Sequence, residues 1–158
     1  MNIGIMADSH DNMHALKKAV DCFNYHKVAH VLHAGDLVAP FTANELSKLQ
    51  CPLTLVFGNN DGDRLMLKNT FKENIHRAPH QLQLAGKKIL LLHEPDNLEA
   101  LKVSGYFDAI IYGHTHQQIV DKGPTLVINP GECGGWLTNE CTVAIWEVES
   151  NEVEIIKL

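Results

Sequence analysis

At 158 residues, with 45% hydrophobic and 20% charged side chains, the chain has the size and composition of one globular domain. A formal net charge of −6 without any basic cluster argues against a nucleic-acid groove, since such grooves need lysine and arginine. No window approaches the roughly 20 apolar residues of a membrane span, and the N-terminal segment lacks the basic region of a secretion signal. We expect one domain over residues 1–158, located in the cytoplasm.

Six short apolar runs have the length of buried β-strands. They are residues 2–7, 29–34, 52–57, 88–93, 109–113 and 125–129. Helical periodicity after each of the first three runs predicts helices from Met13 to about Phe23, from Pro40 to Leu49 and from about Asp63 to Glu73. Strands and helices that alternate at this spacing indicate a parallel sheet.

The C-terminal half favours antiparallel additions to that sheet. A turn centred on Gly86 predicts a hairpin, and a short helical segment ends at Gly105. A second hairpin is predicted to turn at Ser150 and Asn151. We therefore expect an α/β fold with mixed sheets, in which two sheets pack face to face with helices outside.

Polar side chains that can bind metal follow five of the predicted strands. They are Asp8, His10, Asp36, Asn59, His93, His114 and His116. In α/β sheets the carboxyl ends of the strands border a common ligand-binding crevice. Taken singly, each motif also fits a simpler role, such as a turn at Gly35–Asp36 or a strand-end histidine bonded to backbone. Together they predict a metal centre.

Seven ligands exceed the needs of one ion, so the set predicts two ions that share a carboxylate. Asp36 is the expected bridge, because Gly35 before it allows close approach of the backbone. Imidazole, carboxylate and amide ligands without thiolate suit Mn²⁺, Fe²⁺, Co²⁺, Ni²⁺ or Zn²⁺. Two such ions can lower the pKa of a shared water and neutralise charge on a phosphoryl group.

The ordered blocks resemble those of the calcineurin-like metallophosphoesterase superfamily. They are DSH (8–10), GD (35–36), GN (58–59), His93 and GHTH (113–116). The chain looks most like the small single-domain phosphodiesterases of bacteria and archaea. This resemblance implies a four-layer αββα sandwich and hydrolysis of a small phosphodiester by a hydroxide that two metal ions share.

The resemblance also implies a role for each residue. One ion would bind Asp8, His10, Asp36 and His116, and the other Asp36, Asn59, His93 and His114. Mn²⁺ or Ni²⁺ would be favoured, with Fe, Zn or Co as alternatives. Asp36, Asn59 and His93 would act in catalysis, and Asn60, Asn129 and Gly131 would contact the substrate.

Two positions depart from the pattern of the family. Asn60 stands where many members have a histidine that protonates the leaving group, and an amide cannot donate that proton. Glu94 and Pro95 follow His93 where relatives usually have glycine and histidine. We expect the metal site to persist and the choice of substrate or the rate to differ.

Two other functions compete with the phosphodiesterase. The fold also resembles a retromer-type scaffold subunit, which binds proteins and has a degenerate metal pocket; loss of ligands would mark it, and here all seven are present. A nuclease is disfavoured by the acidic charge balance. A small phosphorylated substrate is the expected partner, without membrane contact, and a homo-oligomer is compatible with the sequence.

The remaining histidines and the cysteines receive simpler interpretations. His33 fits either support of the metal site or ordinary strand packing, and strand packing is favoured. The four cysteines form no CxxC pair, so we expect free, mostly buried thiols rather than a zinc-thiolate site.

Overall fold

The computed structural model describes all 158 residues, as two β-sheets with helices on their outer faces. The strands are β1 (Asn2–Met6), β2 (His30–His33), β3 (Leu53–Val56), β4 (Ile75–His76), β5 (His80–Leu84), β6 (Lys87–Leu91), β7 (Ala109–Ile111), β8 (Gln118–Lys122), β9 (Leu126–Pro130), β10 (Thr142–Glu147) and β11 (Glu152–Lys157). The helices are α1 (Met13–Tyr25), α2 (Ala43–Leu46), α3 (Arg64–Phe71) and α4 (Leu98–Val103). No helix is long and apolar enough to span a bilayer.

Each sheet has a parallel centre, with antiparallel strands on one side of the first sheet and on both sides of the second. The first sheet has the strand order β11–β10–β1–β2–β3–β4, and the second has the order β5–β6–β7–β9–β8. Strands β1 to β4 run parallel, as do β6, β7 and β9. The two predicted hairpins are present as β5–β6 and β10–β11. The predicted mixed α/β fold is confirmed.

Three apolar clusters separate the four layers. One lies between the first sheet and helices α1 to α3, one lies between the two sheets, and the smallest lies between the second sheet and α4. In β1, Ile3 and Ile5 face the second sheet, and Met6 belongs to the helix-facing cluster. Burial on both faces explains why the parallel strands are continuous apolar runs.

Helix α1 follows closely from its sequence. The Asn12 side chain accepts a hydrogen bond from the Ala15 N–H at 3.1 Å and so caps the helix. Leu16 and Phe23 are fully buried on the stripe that faces the first sheet. The prediction from Met13 to Phe23 is confirmed, with two further residues at the C-terminal end.

The other elements differ from prediction where burial is weak. Instead of a helix from Pro40 to Leu49, a 3-10 turn (Pro40–Thr42) leads into the single turn of α2. Only Thr42 and Leu46 are buried there, which gives a longer helix little support. Strands β4 and β8 were not predicted, because β4 has two residues and β8 is a partly exposed edge strand.

Candidate metal centre

Seven polar side chains meet at one edge of the sandwich. They are Asp8 and His10 after β1, Asp36 after β2, Asn59 after β3, His93 after β6, and His114 and His116 after β7. Contacts between the two sheets bring them together, such as the 3.4 Å distance from His93 Nε2 to Asp36 Oδ2. The structure therefore groups all seven residues that the sequence singled out as ligands.

The first group consists of Asp8, His10 and His116, whose ligand atoms lie within 4.8 Å of one another. Asp8 Oδ1 lies 3.8 Å from His10 Nε2 and 3.4 Å from His116 Nε2. The backbone N–H of His114 donates to both Asp8 oxygens, at 3.2 and 3.0 Å, and so fixes the carboxylate. This group directs one carboxylate and two imidazoles towards one point.

The second group consists of Asp36, Asn59, His93 and His114, and the ligand atoms of Asp36 and His93 lie within 4.8 Å of Asp8 as well. Asn59 Oδ1 lies 2.8 Å from His93 Nε2 and 2.9 Å from His114 Nδ1. On the other side of the His93 ring, Nδ1 donates to the Ala34 carbonyl at 2.8 Å. That bond orients the ring so that Nε2 faces the site.

Asp36 lies between the two groups. Its Oδ2 is 3.4 Å from His93 Nε2 and 3.6 Å from His10 Nε2, so one oxygen approaches an imidazole of each group. Asn60 donates to both oxygens, from its backbone N–H to Oδ1 at 2.8 Å and from Nδ2 to Oδ2 at 2.7 Å. Asn60 thereby orients the carboxylate that the sequence predicts as the bridge.

The backbone is strained at most of these positions. Five of the seven residues have left-handed φ angles, namely Asp8 (52°), His10 (40°), Asp36 (61°), His114 (67°) and His116 (58°). A non-glycine residue pays about 1–2 kcal/mol for this conformation. Such strain is concentrated at functional sites, where the surrounding structure enforces it.

Two glycines allow the loops to approach the carboxylates. A Cβ on Gly58 would lie 2.1 Å from Asp36 Oδ1, and one on Gly113 would lie 2.7 Å from Asp8 Oδ2. Any larger residue at either position would displace a carboxylate. The glycines of the GN and GH pairs are therefore steric requirements of the site.

The pKa values of Asp8 and His93 are both raised from their ordinary values. Burial raises the pKa of Asp8 to about 7, and the carboxylates of Asp36 and Glu132 act in the same direction. Burial alone would lower the pKa of His93, but the hydrogen bond and charge of Asp36 outweigh it and raise that pKa. Both shifts favour the protonated form of a side chain that a bound cation would contact.

The side chains fit divalent metal ions. His10 Nε2 and His116 Nδ1 are buried without a hydrogen-bond partner, and His10 Nε2 faces two carboxylates. A buried polar atom without a partner costs about 1–3 kcal/mol. A cation at this point would satisfy His10, and the set of imidazole, carboxylate and amide donors is one that borderline divalent ions accept.

Comparison with known proteins gives the family. Residues 1–151 match the calcineurin-like phosphoesterase superfamily domain. The chain belongs to this superfamily. The chain is 38% identical over 165 aligned positions to Phosphodiesterase MJ0936 of Methanocaldococcus jannaschii, and the match covers 100% of this chain and 99% of that relative.

Solved structures agree with this membership. A structure described as a novel archaeal phosphodiesterase superposes with a TM-score of 0.93 at 38% identity, covering 100% of both chains. Vps29 of Entamoeba histolytica, solved with Zn²⁺, has a TM-score of 0.66 at 18% identity and covers 100% of this chain and 98% of its own. The second likeness extends to the fold alone. The chain is a hydrolase of the phosphoesterase type.

One acidic residue of this phosphoesterase site was not predicted. Glu132 is buried, and its Oε1 lies 3.6 Å from His116 Nδ1, the nitrogen that has no hydrogen-bond partner. The carboxylate accepts hydrogen bonds from the backbone N–H groups of Trp136, Leu137 and Thr138 and from the Thr138 hydroxyl. These bonds lower the pKa of Glu132 although burial would raise it. A fixed negative charge therefore stands behind His116.

Glu132→Gln tests whether that charge supports the metal site. A carboxylate beside Nδ1 favours the tautomer that leaves His116 Nε2 free to bind metal, so we expect affinity for Mn²⁺ to fall by about 10–100-fold. Isothermal titration calorimetry on the metal-free protein measures the change. Glu140→Gln is the control and should bind as the wild type does, since this half-buried carboxylate in the same segment pairs with Lys157 and not with a ligand. Equal affinities in the two variants would contradict this role.

Two further buried groups support the ligand loops. The Asp61 carboxylate accepts from the N–H groups of Asp36, Val38 and Gly58, at 2.7 to 3.1 Å. His33 Nδ1 accepts from the Gly35 N–H at 3.2 Å, which leaves Nε2–H to donate to Ser9 Oγ at 3.1 Å. His33 therefore links the loops after β1 and β2 in addition to packing in its strand.

The structure corrects two predicted substrate contacts. Asn129 is 0% exposed, and its amide donates to the Gly113 carbonyl and Thr115 Oγ1 and accepts from the Gly131 N–H. Gly131 is also buried, and a Cβ there would lie 2.3 Å from Thr142 Oγ1. Both residues shape the loop behind the site, whereas Asn60 lines the open depression of about 500 Å³ above it.

The cysteines take no part in the metal centre. All four are free, and the candidate metal-binding groups contain none of them. Cys133 is buried and the other three are half-buried, so the expected burial holds fully for one thiol.

Proposed function

We propose that this protein is a phosphodiesterase that uses two divalent metal ions, with Mn²⁺ or Ni²⁺ favoured. The observation that carries the proposal is the placement of Asp36 Oδ2 within 3.6 Å of an imidazole nitrogen from each ligand group. One ion would be held by Asp8, His10, Asp36 and His116, and the other by Asp36, Asn59, His93 and His114. The 38% identity to a named phosphodiesterase along the whole chain supports the same reaction.

The side chains of this protein would bind and orient the reacting groups, and none of them would form a covalent bond to the substrate. When bound, two ions supply Lewis-acid activation of water and neutralise charge on the phosphoryl group. Asp36 and Asn59 would contribute a carboxylate and an amide oxygen to that metal site, and the two hydrogen bonds from Asn60 would keep the Asp36 carboxylate oriented. Asn60 also lines the depression, where its amide can donate to a phosphoryl oxygen.

Departure of the leaving group would have no dedicated acid at Asn60. An amide donates a hydrogen bond but no proton, so the reaction would favour leaving groups that are stable as anions. Nitrophenyl esters meet that requirement.

The proposal predicts metal-dependent hydrolysis of bis-(p-nitrophenyl) phosphate. Protein treated with chelator should release nitrophenolate at the background rate, and added Mn²⁺ or Ni²⁺ should restore turnover, because all seven ligands are in place. Absorbance of nitrophenolate measures the rate, and elemental analysis confirms the metal content. Absence of turnover by protein that carries two ions per chain would overturn the proposal.

A protein-binding scaffold of the same fold is the second candidate. The structural likeness to Vps29 favours it, but that likeness is limited to the fold. A degenerate pocket is the mark of such a scaffold, and here every predicted ligand is present and directed to the site. Turnover separates the two functions, since a scaffold would leave bis-(p-nitrophenyl) phosphate unhydrolysed even with metal ions bound.

A further inference from the structure

A second and larger depression adjoins the metal centre. It has a volume of about 830 Å³ and shares Asn59 and His93 with the ligand groups. That volume is within the roughly 300–1,000 Å³ of small-molecule sites. A substrate whose phosphoryl group lies at the metal centre would extend one of its ester groups into this depression, which we call the side groove.

Both arginines of the chain line the side groove. Arg64 and Arg77 are the only arginines among 158 residues, although eleven lysines are spread along the chain. Arginine binds phosphate through paired N–H groups, which lysine cannot do. The placement of the two at one groove beside a phosphoesterase centre points to an anionic ligand there.

Both arginines have N–H groups that make no hydrogen bond within the protein. Arg64 donates Nε–H to the Asp61 carbonyl at 3.2 Å and Nη2–H to the Gly58 carbonyl at 3.0 Å, and its guanidinium lies 5.5 Å from the Phe57 ring centre. These contacts fix Arg64 and leave Nη1 unused. Arg77 makes no hydrogen bond or salt bridge in the structure. The groove also contains Glu94 and Asp96, and neither pairs with an arginine.

Four apolar side chains line one part of the groove, which we call its apolar floor. They are Leu90, Leu92, Leu101 and Phe107. A flat, weakly polar ring system suits such a surface, and the carboxylates of Glu94 and Asp96 can accept from hydroxyl or amino groups. The groove thus combines an apolar floor with phosphate donors and with acceptors.

We propose that the side groove binds a phosphorylated nucleoside that forms one ester group of the diester. Its ring would lie on the apolar floor, its second phosphate would pair with Arg64 and Arg77, and its hydroxyl or amino groups would donate to Glu94 and Asp96. This assignment rests on the proposed function, since it places the scissile phosphoryl group at the metal centre. It narrows the substrate class from small phosphodiesters to those with a second phosphate.

Binding to the metal-free protein tests the groove without catalysis. Nitrogen-15 NMR titrations would use thymidine 3′,5′-bisphosphate, thymidine and inorganic phosphate as probes. We expect the bisphosphate to bind at least about tenfold more tightly than thymidine, and to shift the side-chain signals of both arginines. Arg77→Gln should weaken bisphosphate binding by at least about tenfold, and Arg77→Lys should recover part of it. Lys18→Gln removes one charge away from the groove and should change nothing.

Two results would overturn the assignment. One is equal affinity for thymidine and its bisphosphate, and the other is bisphosphate binding that Arg77→Gln leaves unchanged. Failure here is distinguishable from failure of the proposed function. If the protein hydrolyses bis-(p-nitrophenyl) phosphate and either result is found, the phosphodiesterase function holds and the assignment of the side groove is wrong.

Discussion

Asp36→Asn is expected to lower turnover of bis-(p-nitrophenyl) phosphate by at least about a hundredfold, the scale of losing one transition-state contact. An amide is neutral, and one of its two terminal atoms is an N–H donor. The substitution therefore removes the negative charge at the oxygen that lies within 3.6 Å of both His10 and His93. Steady-state kinetics at saturating Mn²⁺ and the metal content per chain measure the effect.

Asp21→Asn provides the matched control for Asp36→Asn. Asp21 is exposed on α1 and pairs only with Lys17, so the same chemical change there should leave rate and metal content unaltered. Wild-type circular dichroism of Asp36→Asn would exclude misfolding. Wild-type rates with two ions bound would show that another residue bridges the ions.

Metal affinity is expected to fall about tenfold for each pH unit below 7, on account of Asp8 alone. Burial raises the pKa of this carboxyl to about 7, so below that pH a metal ion must displace its proton. Above about pH 8 the carboxylate is ionised and this dependence should disappear. Calorimetric titration with Mn²⁺ in buffers of different ionisation enthalpy would measure the release of the proton directly.

The same raised pKa predicts how stability changes with pH. Between about pH 4 and 7 the folded, metal-free protein retains a proton on Asp8 that the unfolded chain has released. Stability from this group is therefore greatest at low pH and falls as the pH rises through that window. Asp8→Asn should melt above the wild type at pH 8 and lose that advantage near pH 4. An advantage that is independent of pH would contradict the sign of the shift.

The parts of the fold that could be predicted are those that follow from local periodicity. The stripe of α1 and the apolar runs of the central strands repeat with periods that a single segment displays. Strand β8 could not be found in this way, because only Ile119 and Val120 are apolar in it and one edge of the strand is unpaired. The length of helix α2 was predicted too long, because the sequence does not show that only Thr42 and Leu46 of this segment are buried.

The candidate ligands could be predicted because they follow strand ends. The residues that hold those ligands in place could not be predicted. Glu132 lies in a glycine-rich loop, and its role can be recognised only from its position beside His116 in the folded protein. Asn129 was misassigned because the sequence does not show whether a side chain faces the pocket or its own loop. That Arg64 and Arg77 line the same groove likewise depends on how the segment after β4 lies beside α3.

The ligands come from both sheets, with four from the first and three from the second. A pair of ions held among them would act as a clasp between the halves of the sandwich, much as a disulfide joins two segments. Loading the site should then raise the melting temperature of the entire protein. Conversely, any substitution that shifts one sheet against the other would disassemble the centre, even from a distance.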